Sequence, residues 1–275
     1  MPTPTKKPIE PELKSALKSL KLGQVIDSLP ERLALAKSNN MTYEELLLLI
    51  LRDEIDRRES TATARRARNA GLDPDMVLER WDSTAKVSFD QRVLGELVCL
   101  RFVAARRNVV ILGPVGVGKT YLATALGHIA CRSKFQVHLT RADDMLRRLR
   151  QSRMDNSRDA VMTELSTVDV LIIDDFALEP MNREESRDIY QLFVERNGRA
   201  STIVTSNRDT SEWIATFDDV LLAQSAVDRF ANNAYDLVVE GESYRSRLKP
   251  KVTGEESPPA APVTKPDRPI RRRKH

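Results

Sequence analysis

Residues 111–126 read ILGPVGVGKTYLATAL. An apolar run, a loop with glycine at 113, 116 and 118, and a Lys-Thr pair opening a run of helix formers make a strand, a tight turn and a helix in that order. What such a unit packs against is set by the rest of the chain. Short segments rich in Val, Ile and Leu at 108–112, 135–140, 168–173, 201–206 and 235–239 read as strands. Helical patterns at 119–132, 142–150, 155–166, 183–198 and 218–231 lie between them. The alternation predicts a parallel sheet covered by helices on both faces.

Upstream the texture is purely helical. Leu13, Leu17 and Leu20, then Val25, Leu29 and Leu33, then Tyr43, Leu46, Leu47 and Ile50 recur at spacings of three and four, one apolar face per helix. Pro30, the polar run KSNNMT and AGLDP at 70–74 divide this region, and Thr42 with Glu45 forms a capping box. A connecting stretch, 76–89, carries Trp81 and Phe89, and a further helix is expected over 90–106. Residues 1–75 therefore read as a small helical domain and 76–248 as the α/β domain. The tail 249–275 is rich in proline and charge and too poor in large apolar groups to fold alone, so it reads as disordered.

Composition excludes several classes. The longest apolar run is LLLLIL at 46–51, far short of the ~20 residues that span a bilayer. The N-terminus MPTPTKKPIEPELK has no apolar segment behind its lysines and so lacks the layout of a secretory signal, which predicts a cytoplasmic protein. Cys99 and Cys131 have no metal-site spacing and are expected in the core. The net charge of +4 is modest, but arginine is clustered: five in 57–68 and six in 141–158, with eight basic against three acidic side chains in the tail. Clusters can track a phosphate backbone where an average charge cannot.

The loop Gly113-Pro114-Val115-Gly116-Val117-Gly118-Lys119-Thr120 satisfies GxxxxGK[ST] between a strand and a helix. Backbone N–H groups of such a loop cradle phosphate oxygens, aided by the helix N-terminus. Lys119 is placed to reach the β- and γ-phosphates of a nucleotide and the Thr120 hydroxyl to ligate Mg²⁺, with Tyr121 completing the binding segment. A second strand end, VDVLIIDDF, offers Asp174 to hold Mg²⁺ through its water shell and Asp175 to orient or deprotonate a water. A third, STIVTSN, offers Asn207, whose amide can bond the γ-phosphate or that water. Arg229 in VDRF and Arg245 in GESYRSR complete the polar set, with Arg247 a rival for Arg245.

The order GPxGxGKT, IIDDF, TSNR, DRF, GESYR resembles the AAA+ ATPases of the DnaC and IstB branch, and most of all the IstB-type transposition helpers of bacterial insertion sequences. The resemblance runs from about residue 13 to 248 and includes the LKSLKLGQVIDSLPERLALAKSNNMTYEELLLLIL opening, where Val25-Ile26 replaces the usual methionine. It implies an ATPase using ATP and Mg²⁺, with Lys119 and Thr120 as the Walker A pair, Asp174 and Asp175 as the Walker B pair, and Asn207 as sensor 1. It implies Arg229 as a finger acting on a neighbouring subunit's ATP and Arg245 as sensor 2, on a core without a separate lid domain. An aspartate at 175, where glutamate is commoner, sets the carboxylate about one methylene further back and predicts slow turnover.

The partners implied are a homo-oligomer, target duplex DNA and an IstA-like transposase, with no membrane. Residues 141–158 occupy the place of a helical insertion that faces nucleic acid in the related initiators and loaders. Arg147, Arg148 and Arg150 there, or Arg65, Arg66 and Arg68 in the helical segment, are the candidate phosphate contacts. The alternative within the same fold is a DnaC-like helicase loader preferring single strands. A small-molecule kinase is disfavoured because the chain offers sensor-like residues and an assembly arginine rather than a substrate lid.

Overall fold

A computed structural model describes residues 9–244; Arg245, Arg247 and the tail 249–275 lie outside the described residues. Three helices come first: α1 (Pro11–Ser19), α2 (Val25–Ser38) and α3 (Tyr43–Asn69). The capping box opens α3 as expected, with Glu45 N–H donating to Thr42 Oγ1 at 3.2 Å and Thr42 N–H to Glu45 Oε2 at 2.7 Å. A strap containing β1 (Val87–Ser88) leads to α4 (Gln91–Val98) and α5 (Arg101–Ala104).

The α/β unit then runs β2 (Asn108–Leu112), α6 (Lys119–Arg132), β3 (Val137–Arg141), α7 (Ala142–Met154), α8 (Arg158–Thr167), β4 (Val170–Asp174) and α9 (Arg183–Arg196). It continues with β5 (Ser201–Ser206), α10 (Thr210–Trp213), α11 (Val220–Ala231), β6 (Ala234–Val238) and β7 (Glu240–Gly241). β2 to β6 form one parallel sheet in the order β3-β4-β5-β2-β6. β1 and β7 pair separately and antiparallel.

Side chains alternate across a strand, and the apolar strands here bury both faces. Val110, Leu171, Ile173 and Val204 enter a core with α7, α8, α9 and α11, centred on Phe176, Phe193, Trp213 and Phe230. Val109, Ile111, Val170, Ile172 and Ile203 enter a second core with α4, α5 and α6. Ala67, Ala70 and Leu72, at the end of α3 and just beyond it, belong to that second core.

Three local expectations are corrected. Pro30 does not divide a helix but lies inside continuous α2, where it forfeits one backbone bond, that to the Ile26 carbonyl, while Val25 and Leu29 stay buried. The helix expected over 90–106 breaks at Leu100, which adopts φ 56°. An unbroken helix would hold Leu97 and Phe102 roughly 140° apart, whereas the break lets both enter one core. Cys131 is buried as expected, but Cys99 caps α4 on its exposed side.

Candidate nucleotide site

The sheet order sets the C-terminal ends of β4, β5 and β2 side by side, the usual place for ligands in an open parallel sheet. The loop after β2, Asp174 and Asp175 at the end of β4 and Asn207 after β5 therefore converge. Lys119, Thr120, Tyr121, Asp175 and Asn207 line one cavity of about 400 Å³.

The loop's backbone requires its glycines. Gly116 has φ 87°, and a Cβ there would fall 2.1 Å from Ser243 Oγ. Gly118 has φ 98°, and a Cβ there would fall 2.8 Å from the Trp81 ring. Only glycine tolerates both the left-handed backbone and the close approach. The Lys119 ammonium is buried and donates to the Gly113 and Pro114 carbonyls, each at 2.8 Å, so its charge is held at the loop itself.

A hydroxyl relay fixes the carboxylates. Thr120 Oγ1 donates to the Asp174 carboxylate at 2.9–3.0 Å, and Thr205 Oγ1 donates to Asp174 Oδ1 at 2.5 Å. Asp175 N–H in turn donates to Thr205 Oγ1 at 3.0 Å. Asp174 is buried, with hydroxyl donors on two sides. Asp175 takes φ 56°, a rare conformation for a side-chain-bearing residue, which turns it from the strand into the cavity.

Arginine placement is mixed. Arg229, in the last turn of α11, donates to the Ser225 carbonyl at 3.0 Å and to its hydroxyl, lies 5.8 Å from the Tyr190 ring centroid, and does not line the cavity. On α7, Arg147 pairs with Asp144 at 3.0 Å, Arg148 bidentately with Glu164 and Arg150 with Glu185 at 3.1 Å. On α3, Arg65 and Arg68 are exposed, whereas Arg66 Nε donates to the Cys131 carbonyl at 2.9 Å and ties α3 to α6.

Sequence reasoning missed several neighbours. Thr205 was legible only as one hydroxyl in a buried strand, and Arg141, 3.4 Å from Asp175, only as one more arginine of a cluster. The strap contributes Met76, Arg80, Trp81 and Val87 to the cavity wall, and nothing in its sequence spacing says so. Tyr121 OH donates to the Val77 carbonyl at 2.8 Å, and burial pushes the phenol's pKa up.

The profile of the IstB-like ATP binding proteins matches residues 15–252. The chain belongs to this family. An IstB-like relative in Mycobacterium tuberculosis, provisionally named an ATP-binding protein in an insertion sequence, is 35% identical over 88% of this chain and 96% of its own. Another, from an insertion sequence of Pseudomonas aeruginosa, is 35% identical over 87% and 89%. Among solved structures, this IstB-like chain superposes on the DnaC helicase loader with a TM-score of 0.51 and 20% identity, over 63% of this chain and 98% of that one. The replication initiator DnaA bound to AMPPCP and single-stranded DNA gives 0.51 at 22% identity, over 62% and 51%. These likenesses establish the shared AAA+ P-loop fold. Among the described residues, no helix is long and apolar enough to cross a membrane.

Proposed function

We propose that this IstB-like protein is a cytoplasmic ATPase that assembles on target duplex DNA as a homo-oligomer and recruits or stimulates an IstA-like transposase, hydrolysis governing release. The observation that carries the ATPase reading is the meeting of Lys119, Thr120, Asp175 and Asn207 on one cavity, with Asp174 bonded to Thr120 behind them. The transposition reading rests on family membership and the insertion-sequence relatives.

The residues fit a nucleotide with a hard cation. Gly116 and Gly118 hold left-handed backbone at φ 87° and 98°, the kind of turn in which successive N–H groups can form an anion-binding concavity. No cluster of three or more His, Cys, Asp or Glu suited to a metal exists among the described residues. The Thr120–Asp174 pair instead suits an ion that takes most of its ligands from water and phosphate, as Mg²⁺ does. Mg²⁺ would neutralise phosphate charge during transfer.

Lys119 would pair with the β- and γ-phosphates, the Thr120 hydroxyl would ligate the metal and Asp174 would hold it through its water shell. Asp175 accepts the proton of the attacking water as its oxygen bonds the γ-phosphorus and the bond to the ADP oxygen breaks. Asn207 orients that water. Arg229, remote from its own cavity, serves a neighbour's site, and Arg245 is assigned to its own nucleotide. Residues 1–75 are the docking module. The test is hydrolysis with duplex DNA, single strands or neither: stimulation by duplex and by transposase supports the reading. Stimulation only by single strands and a hexameric helicase would replace it with a helicase loader.

A further inference from the structure

The polar groups lining the cavity account for a triphosphate and leave its remaining wall unassigned. That wall is largely aromatic and apolar, with Met76, Trp81 and Val87 from the strap, Tyr121 from the first turn of α6, and Tyr244, beside two charged strap residues, Arg80 and Asp82. The Trp81 indole lies directly against the loop, since its Cη2 and Cζ3 atoms stand 2.8 and 3.0 Å from where a Gly118 Cβ would be. It meets Tyr121 edge-on, ring centroids 5.3 Å apart at 68°, and Phe89 at 5.9 Å.

The strap is fastened at both ends. Tyr121 OH holds the Val77 carbonyl, and β1 is zipped to β7 through Val87 and Gly241. Trp81 is thus an indole held at the mouth of a phosphate loop, only half-buried, with its body presented to the cavity. The same indole packs on the core shared by α4, α5 and α6, so it is braced from that side while it walls the cavity.

We infer that Trp81 is the base-recognising residue of this site, its indole taking the face of a purine whose phosphates lie in the Gly113–Thr120 loop. The inference rests on the nucleotide reading above and deepens it. Stacking between a base and an aromatic side chain contributes roughly one to two orders of magnitude in affinity, and a two-ring purine offers more face than a pyrimidine.

The experiment is calorimetric titration of the full chain with ATP, CTP and inorganic tripolyphosphate, in wild type, Trp81→Ala and Trp81→Phe. Trp81→Ala is expected to weaken ATP roughly tenfold, narrow the ATP-to-CTP preference and leave tripolyphosphate unchanged, while Trp81→Phe stays near wild type. In parallel, ATP should alter wild-type indole emission and tripolyphosphate should not. The ATP response should vanish in Trp81→Phe, whose remaining Trp213 is fully buried in the other core. Equal weakening of ATP and tripolyphosphate would make Trp81 a mere buttress of the loop and overturn the inference, as would ATP binding indifferent to both substitutions. A wild-type chain that binds neither ligand would overturn the nucleotide reading itself, and this inference with it.

Discussion

Arg141 Nη2 lies 3.4 Å from Asp175 Oδ2, joining the last residue of β3 to the carboxylate proposed to take the proton of the attacking water. The pair spans neighbouring strands, because the register sets Arg141 opposite Asp174. Both side chains are substantially exposed, 56% and 40%, so the contact is a weak restraint on the proposed base rather than a stabilising bridge. Arg141→Ala should raise basal hydrolysis on the order of twofold by releasing Asp175 toward water. Asp175→Asn should lower it by about 10²-fold or more while ATP still binds. Steady-state phosphate release checks both, and a fall in Arg141→Ala would show that the arginine instead aims the carboxylate.

Lys119→Ala removes the charge seated at the loop carbonyls and should abolish nucleotide binding and ATP-dependent assembly together. Light scattering with and without ATP tests this. Assembly that persists unchanged in the variant would separate oligomerisation from the nucleotide.

Arg229→Ala should depress hydrolysis by several powers of ten in assembled protein while each subunit binds ATP normally, since the side chain does not reach its own cavity. Mixing it with Lys119→Ala offers seams that combine an intact loop with an intact finger. Activity should partly return. Continued silence in mixtures proven to co-assemble would assign Arg229 a role inside its own subunit, on Ser225 and Tyr190.

Glu54 is buried in α3 and accepts from Arg57 at 2.8 Å and Arg58 at 2.6 Å. The Arg57 hydrogen bond, followed by that of Arg58 and the charges of both arginines, outweighs burial and lowers its pKa from 4.5 to about 2. A carboxyl whose folded pKa lies below its unfolded one contributes stability that is complete above about pH 4.5 and lost as pH falls through about 2. Acid titration followed by hydrogen exchange in α3 should show loss of protection in that window, and Glu54→Gln should flatten it. An unaltered profile in the variant would place the acid-sensitive group elsewhere.

The duplex-binding surface can be located by salt. If Arg147, Arg148 and Arg150 leave Asp144, Glu164 and Glu185 for DNA phosphates, the triple alanine variant should lose affinity for all sequences alike. Its log–log salt slope should flatten by roughly one unit per lost contact. The corresponding triple at Arg65, Arg66 and Arg68 is the comparison, with Arg66 the least available because it is tied to Cys131. A slope change confined to the α3 variant would move the surface there.

The loop, the strand–helix alternation and the capping box of α3 were legible in the chain, because each depends on neighbouring residues: glycine spacing, apolar period and a Thr-x-x-Glu interval. The sequence also marked Asp174, Asp175 and Asn207, since strand ends can be read from where apolar runs stop. What meets them depends on how distant segments pack. Thr205 on Asp174, Arg141 on Asp175 and Trp81 on Gly118 are contacts across 31, 34 and 37 positions. No local periodicity encodes such pairs; they arise from the strand order β3-β4-β5-β2-β6 and from the strap, which β1 pins to β7. The same holds for the break at Leu100 and the continuity of α2 through Pro30, where burial of Leu97, Phe102 and Leu29 overrode local preference. Hydrophobic burial acts between segments far apart in sequence, so it can override what the local pattern favours.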